Sequence, residues 1–275
     1  MKVHHLNLCT MCPFGGRLLS GGERSIFSPG EMVAHVLLIE TPRDGLVLVD
    51  TGMGLDDVRS PNERIGRVFL MLSRPTLREE DTAVRQVERL GFSRRDVRHV
   101  IVTHLDVDHA GGLPDFPDAK VHVHRREHAA AMAPQTFNER QRYSKAQLAH
   151  GPKWELHEDG GDRWFGLDGL KVIADDILLV PLPGHTRGHS AVAVRVGSSP
   201  EWLLHCGDAY FSHLEKDDAA RCPPILRHFQ SAVAADNKIR RANAARIRDL
   251  HREHGQAVQV FSAHCPHEYR ALSKS

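Results

Sequence analysis

Thr103-His104-Leu105-Asp106-Val107-Asp108-His109-Ala110-Gly111-Gly112 follows directly on the β-branched run Val97–Val102. An apolar run of that length, closed by turn residues, reads as a buried strand. What comes after it is metal chemistry. In extended chain alternate residues share a face, so His104 and Asp106 can serve one metal. Asp108 and His109 arrive as the chain turns into glycines, which permit close backbone approach, and they can face a second metal. Imidazole and carboxylate are the ordinary ligands of first-row metals.

Four other apolar runs end in the same way. Leu46–Val49 delivers Asp50-Thr51-Gly52, Ile177–Leu182 delivers Pro183-Gly184-His185, Trp202–His205 delivers Cys206-Gly207-Asp208, and Val258–Phe261 delivers Ser262-Ala263-His264. Strand ends of a layered α/β fold converge on one edge, where loops carry function on a rigid scaffold. Asp208 is placed to bridge two metals. Further strands are predicted at Val33–Glu40, Lys120–His124 and Ala191–Val196. A helix is predicted from the capping-box spacing Thr76-Leu77-Arg78-Glu79, with Ala83, Val87 and Leu90 on one face and Gly91 as its stop. A second carries the stripe Ile239, Ala242, Ile247 and Leu250, with its many arginines and Lys238 on a solvated face. From Ala133 to Trp164 the pattern breaks into polar, Gly- and Pro-containing sequence, a loop or a short helical excursion.

Thirty-six Lys and Arg against 35 Asp and Glu leave a net charge of +1, which drives the chain onto neither nucleic acid nor an acidic membrane. No apolar run approaches a membrane span, and the first residues lack the apolar core of a signal peptide, so a cytoplasmic location is expected. Five cysteines are sparse and odd in number, which points to reduced thiols, Cys9 and Cys12 included. Twenty histidines are many for a globular chain. No linker divides the sequence, so residues 1–275 are expected to form a single domain.

In these motifs the chain resembles the metallo-β-lactamase fold hydrolases. Their signature, H-x-H-x-D-H followed by Gly-His, Asp and a late His, falls on His104–His109, Gly184-His185, Gly207-Asp208 and Ala263-His264. The resemblance implies a four-layer αββα sandwich of the α/β (α+β) class with two divalent metals at one edge. It places His104, Asp106 and His185 on the first metal, Asp108, His109 and His264 on the second, and Asp208 between them. Asp50 looks like a structural support. A metal-bridging hydroxide then attacks an acyl or phosphoryl bond, with Asp108 the candidate proton shuttle as well as a ligand.

Pro183-Gly184-His185-Thr186-Arg187-Gly188-His189 is most similar to the N-acyl-homoserine lactonase branch, which implies a lactone or similar ester of a small molecule as substrate. Tyr210, one residue nearer the Asp than in that branch, is the candidate to meet the substrate carbonyl. Met11, Phe14, Leu18 and Leu19 are candidates for an acyl-chain pocket. A thioester hydrolase resembling hydroxyacylglutathione hydrolase is the alternative; a diiron redox module and a non-catalytic metal-binding protein stand behind it. No nucleic acid or membrane partner is expected, and a homodimer is an open arrangement. His122 and His124 are expected on a solvated strand face, and His189 in a supporting role behind the ligands.

The chain departs from the family at Asp106, where the signature has His. Three ionised carboxylates against two divalent metals leave the first shell a single positive charge. Because oxygen ligands suit harder ions, the site is expected to take Mn or Fe alongside Zn, and Asp106→His to shift retention toward zinc.

Overall fold

The computed structural model describes residues 1–20, 25, 27–174, 176–197 and 199–274. All the apolar runs named above form strands, each within one residue of its expected bounds. The first sheet holds β1 (Lys2–Met11), β2 (Met32–Glu40), β3 (Leu46–Val49), β4 (Val97–Ile101), β5 (Lys120–His124) and β6 (Lys153–His157), in that spatial order. The second holds β7 (Asp162–Trp164), β8 (Leu167–Ile173), β9 (Ile177–Pro181), β10 (Ser190–Arg195), β11 (Trp202–His205) and β12 (Val258–Phe261), in the order β12-β11-β10-β9-β8-β7. Strands β3 to β6 run parallel, as do β11 and β12. Two antiparallel pairings, β9 with β10 and β10 with β11, bring β9 into the direction of β11. The carboxyl ends of β9, β11 and β12 therefore share one edge.

Alternation sorts the side chains into layers. Leu37, Ile39, Val47, Val49 and Ile101 of the first sheet meet Leu179, Val192, Val194, Leu203 and Phe261 of the second. Their neighbours Val36, Leu38, Leu46, Leu48 and Val100 turn the other way, onto Ala83, Val84 and Val87 of the helix Ala83–Arg89. Across the second sheet, Val180, Ala191, Ala193, Leu204, Val258 and Val260 pack on Ile247 and Leu250 of the helix Asn237–His254. The result is helix, sheet, sheet, helix: the αββα sandwich.

Several local expectations change. Thr76 caps no helix; its N–H and its hydroxyl both donate to the Thr10 carbonyl, joining it to the end of β1. The helix begins only at Ala83, after a short turn at Glu79–Asp81, and ends as expected before Gly91. In the long helix Ile239 and Ala242 face solvent, whereas Arg240 and Asn243 are buried. Both bond inward: Arg240 Nη1 donates to Gln230 Oε1 at 2.7 Å, and Asn243 Nδ2 to the Pro183 carbonyl at 2.7 Å. His122 and His124 are buried rather than solvated, because β6 extends the sheet beyond β5. His122 Nε2 meets His99 Nδ1 at 2.9 Å and its Nδ1 meets His157 Nε2 at 3.1 Å, and burial lowers its pKa to about 3. The strands β1, β6, β7 and β8 had no simple apolar signature; His4, His5 and Asn7 interrupt the first. All five cysteines are free thiols. Among the described residues no helix is long and apolar enough to cross a membrane.

Leu37 lies fully buried between the two sheets. Leu37→Ala should therefore cost about 2–5 kcal/mol, the range for a buried leucine truncated in a close-packed core. Urea unfolding of the variant and the parent checks it.

Candidate metal centre

Four strand ends bring seven side chains to one edge. His104 leaves β4, and Asp106 stands before the helical turn Val107–Ala110 that carries Asp108 and His109. His185 follows β9, Asp208 follows β11 and His264 follows β12. Their ligand atoms fall into three overlapping clusters: His104, Asp106 and His185; His104, His109 and Asp208; Asp108, His109 and His264. Asp106 Oδ2 lies 3.5 Å from His104 Nε2 and 3.1 Å from His185 Nε2. On the other side Asp108 Oδ2 lies 3.5 Å from His264 Nε2 and 3.9 Å from His109 Nε2. Asp208 divides its two oxygens between these groups. Its Oδ2 is 3.3 Å from His185 Nε2 and 3.8 Å from His104 Nε2; its Oδ1 is 3.3 Å from His109 Nε2 and 3.1 Å from His264 Nε2.

Three of the four imidazoles are aimed from behind, whereas His185 Nδ1 is buried without a partner. His109 Nδ1–H donates to Asp50 Oδ2 at 2.9 Å, and His264 Nδ1–H to the Val33 carbonyl at 2.8 Å. His104 Nδ1–H donates to the Thr103 hydroxyl at 3.0 Å, which donates in turn to Asp50 Oδ2 at 2.8 Å. Each bond settles the tautomer and leaves Nε2 as the free lone pair, the arrangement a metal-binding histidine needs. His104 Nε2 and Asp208 Oδ1, both on the side of the centre, are buried without a hydrogen-bond partner. Buried polar atoms are rarely left so, and here a divalent cation fits the donor set. The electrostatics agree. Burial alone would raise the Asp208 carboxyl, yet His264, His109 and His185 hold it well below the usual range. Burial likewise opposes a charge on His109, and the carboxylates of Asp208, Asp108 and Asp50 push its pKa well up all the same. The pocket attracts positive charge.

Two supports frame these loops. His189 donates through Nδ1 to the Leu182 carbonyl at 3.0 Å and accepts the Asp208 N–H through Nε2 at 2.9 Å, the supporting role read from its position. Glu127 was not read from the sequence. It is fully buried and accepts from Leu105 N–H at 3.0 Å, Tyr143 hydroxyl at 3.1 Å, Thr186 hydroxyl at 2.6 Å and Gly188 N–H at 3.0 Å. It thus ties the His104 loop to the His185 loop. Gly188 permits this, since a Cβ there would stand 2.1 Å from the Glu127 nitrogen. In sequence Arg125-Arg126-Glu127-His128 looks like an exposed helix start, and nothing in it announces a buried carboxylate.

Tyr210 does not reach the site. Its ring is buried with Val260 and Leu250, and its hydroxyl donates to Glu268 at 3.0 Å. The next residue, Phe211, faces the centre instead, stacked on the His264 ring at 5.0 Å between centroids. A cavity of about 340 Å³ opens beside His264, walled by Leu19, Met32, Phe211 and Leu226 with Arg270 and Lys274 at its rim. Of the early apolar residues Leu19 alone lines it; Met11 is in the core, and Phe14 and Leu18 are exposed.

The chain is similar in sequence and fold to known proteins. The metallo-beta-lactamase superfamily profile matches residues 29–247. A probable metallo-hydrolase of Mycobacterium tuberculosis is 42% identical over 273 residues, spanning 98% of this chain and 82% of its own. An N-acyl homoserine lactonase, AttM, of Azorhizobium caulinodans is 30% identical over 210 residues, 76% of this chain and 77% of its own. A solved N-acyl homoserine lactone hydrolase, with N-hexanoyl-L-homoserine bound at its catalytic metal center, superposes with a TM-score of 0.73 and 22% identity, covering 98% of this chain and 96% of that one. At that identity the likeness speaks for the fold.

Glu127→Ala should destabilise the protein by at least about 3 kcal/mol, because it strands several buried donors at roughly 1–3 kcal/mol each. Glu127→Gln keeps part of the acceptor set and should cost less. Chemical denaturation of both variants reads the difference; equal and small losses would contradict the anchoring role.

Proposed function

The chain belongs to the metallo-beta-lactamase superfamily and is a metal-dependent hydrolase; from that premise we propose that it opens a lactone or a similar ester of a small molecule at a dinuclear centre. The observation that carries this reading is the divided carboxylate of Asp208, one oxygen toward each histidine group. His104, Asp106 and His185 would hold the first divalent ion and Asp108, His109 and His264 the second, with Asp208 placed between the two groups. Zinc suits four imidazoles best, and manganese or iron are alternatives the carboxylates also accept. When bound, such a pair lowers the pKa of water toward neutrality and polarises a carbonyl oxygen.

The protein's own groups do the rest. Asp108 engages His264 and His109 from one oxygen, and its other oxygen takes the proton of the attacking water and returns it to the leaving alkoxide. Neither Ser212 nor Cys265 of the cavity wall is set up as a nucleophile: Ser212 Oγ caps the helix His213–Asp217 by accepting the Leu214 N–H, and Cys265 is held protonated by burial, its pKa pushed up to about 12. The cavity beside His264 accepts the apolar part of the substrate against Phe211, Leu226 and Met32. With Phe211 there and Tyr210 turned away, no phenol assists the carbonyl. The similarity to AttM supports a lactone over a thioester.

Two outcomes test this. His185→Ala and His264→Ala should each lose bound metal and hydrolysis while the fold survives, read by elemental analysis and circular dichroism beside a panel of acyl lactones and thioesters. Turnover of thioesters alone would overturn the lactone assignment. Asp108→Asn should lower kcat at least about 100-fold with a smaller change in KM, the lower end of general acid–base contributions. A rise in KM at unchanged kcat would remove Asp108 from proton transfer.

A further inference from the structure

Asp106 offers its two oxygens to different neighbours. Oδ2 faces His104 and His185, whereas Oδ1 lies 3.6 Å from Nε of Arg142. Arg142 ends the short helix Phe137–Arg142, inside the stretch from Ala133 to Trp164 that showed no pattern in the sequence. Its side chain is only 11% exposed. The guanidinium also donates through Nη1 to the His185 carbonyl at 3.0 Å and through Nη2 to the Val233 carbonyl. The helix is set in place by a capping box, Thr136 with Glu139, and Glu139 Oε1 pairs with Arg187 Nε at 2.6 Å, next to the same His185 loop. So the insertion delivers one fixed positive charge to the far side of one carboxylate.

A buried arginine is never neutral and is seldom tolerated without a charged partner. Among the described residues, Asp106 is the acidic group within ion-pair distance of it. Resting on the metal-centre reading above, we propose that Arg142 is a positioning residue that cancels the charge Asp106 adds, so that the pair presents to the first metal one oxygen ligand with the net charge of a neutral imidazole. Three carboxylates against two divalent ions leave a single positive charge, and Arg142 restores the second. This reverses the expectation from sequence for Asp106→His: the new imidazole would leave Arg142 as an unbalanced cation beside a divalent ion. Such supporting groups typically tune metal affinity 10–100-fold.

The test is a double-mutant cycle read in zinc affinity rather than turnover, by competition with a chromophoric chelator on the folded protein. Asp106→His alone should weaken the first zinc by about tenfold or more. In the Arg142→Gln background the same change should cost little, a coupling of about tenfold or more. Arg142→Lys keeps the charge but not the fork onto the carbonyls, and should stay close to the parent in zinc affinity. An additive cycle, or a lysine variant whose zinc affinity departs from the parent as far as that of the glutamine variant, would reduce Arg142 to a brace for the His185 loop. If Arg142→Gln does not fold, Asp106→His decides alone: zinc bound as tightly as by the parent overturns the proposal. His185→Ala separates the two readings. Zinc lost there with an additive cycle overturns only the role of Arg142, and zinc fully kept there overturns both.

Discussion

The carboxylate of Asp50 stands at the end of β3 in a left-handed backbone conformation, φ 62°, that a non-glycine residue rarely adopts. From there it accepts the Thr103 N–H at 2.7 Å, the Thr103 hydroxyl and His109 Nδ1–H. Three consequences follow from one side chain. The ends of β3 and β4 are locked together, His109 presents Nε2 to the centre, and His104 is aimed through the Thr103 hydroxyl. Burial disfavours a charged Asp50, and the His109 imidazole outweighs it, keeping the carboxylate ionised. The strain is sustained by bonds that would otherwise be unmade in a buried place.

The second sheet is fastened to this edge by polar groups rather than by more core. Asp208 N–H is held by His189, the His185 loop by Glu127, and the Pro183 carbonyl by Asn243 of the long helix. Ala235 and Asp236 N–H, just ahead of that helix, donate to the carbonyls of His185 and Gly184. This explains why the helix buries Arg240 and Asn243 at its start and apolar residues from Ala244 onward. Its first turns serve the site and its last turns serve the sandwich.

Much of this was legible in the sequence. The strands of the sandwich core are contiguous apolar runs, and each metal-directed residue follows one within a few positions, so local pattern and local chemistry coincide. What escaped reading depends on partners far apart in sequence. Glu127 looks exposed until the His185 loop folds onto it. Arg142 sits in a patternless stretch and acquires meaning only beside Asp106. His122 looks solvated until β6 covers it. The Tyr210 reading failed for a geometric reason: Gly207 takes a positive φ of 51° at the turn, so the face each following residue shows cannot be counted from the strand. Phe211 inherits the position, and Tyr210 turns into the core toward Glu268.

The central claim is a pair of metals sharing Asp208. Crystals of the purified protein grown without chelator, measured above and below the absorption edge of the metal found by elemental analysis, test it directly. The account predicts two anomalous peaks about 3.5–4 Å apart, one among His104, Asp106 and His185 and one among Asp108, His109 and His264, with a different oxygen of Asp208 on each. A single peak, or a second one away from Asp208, would contradict it.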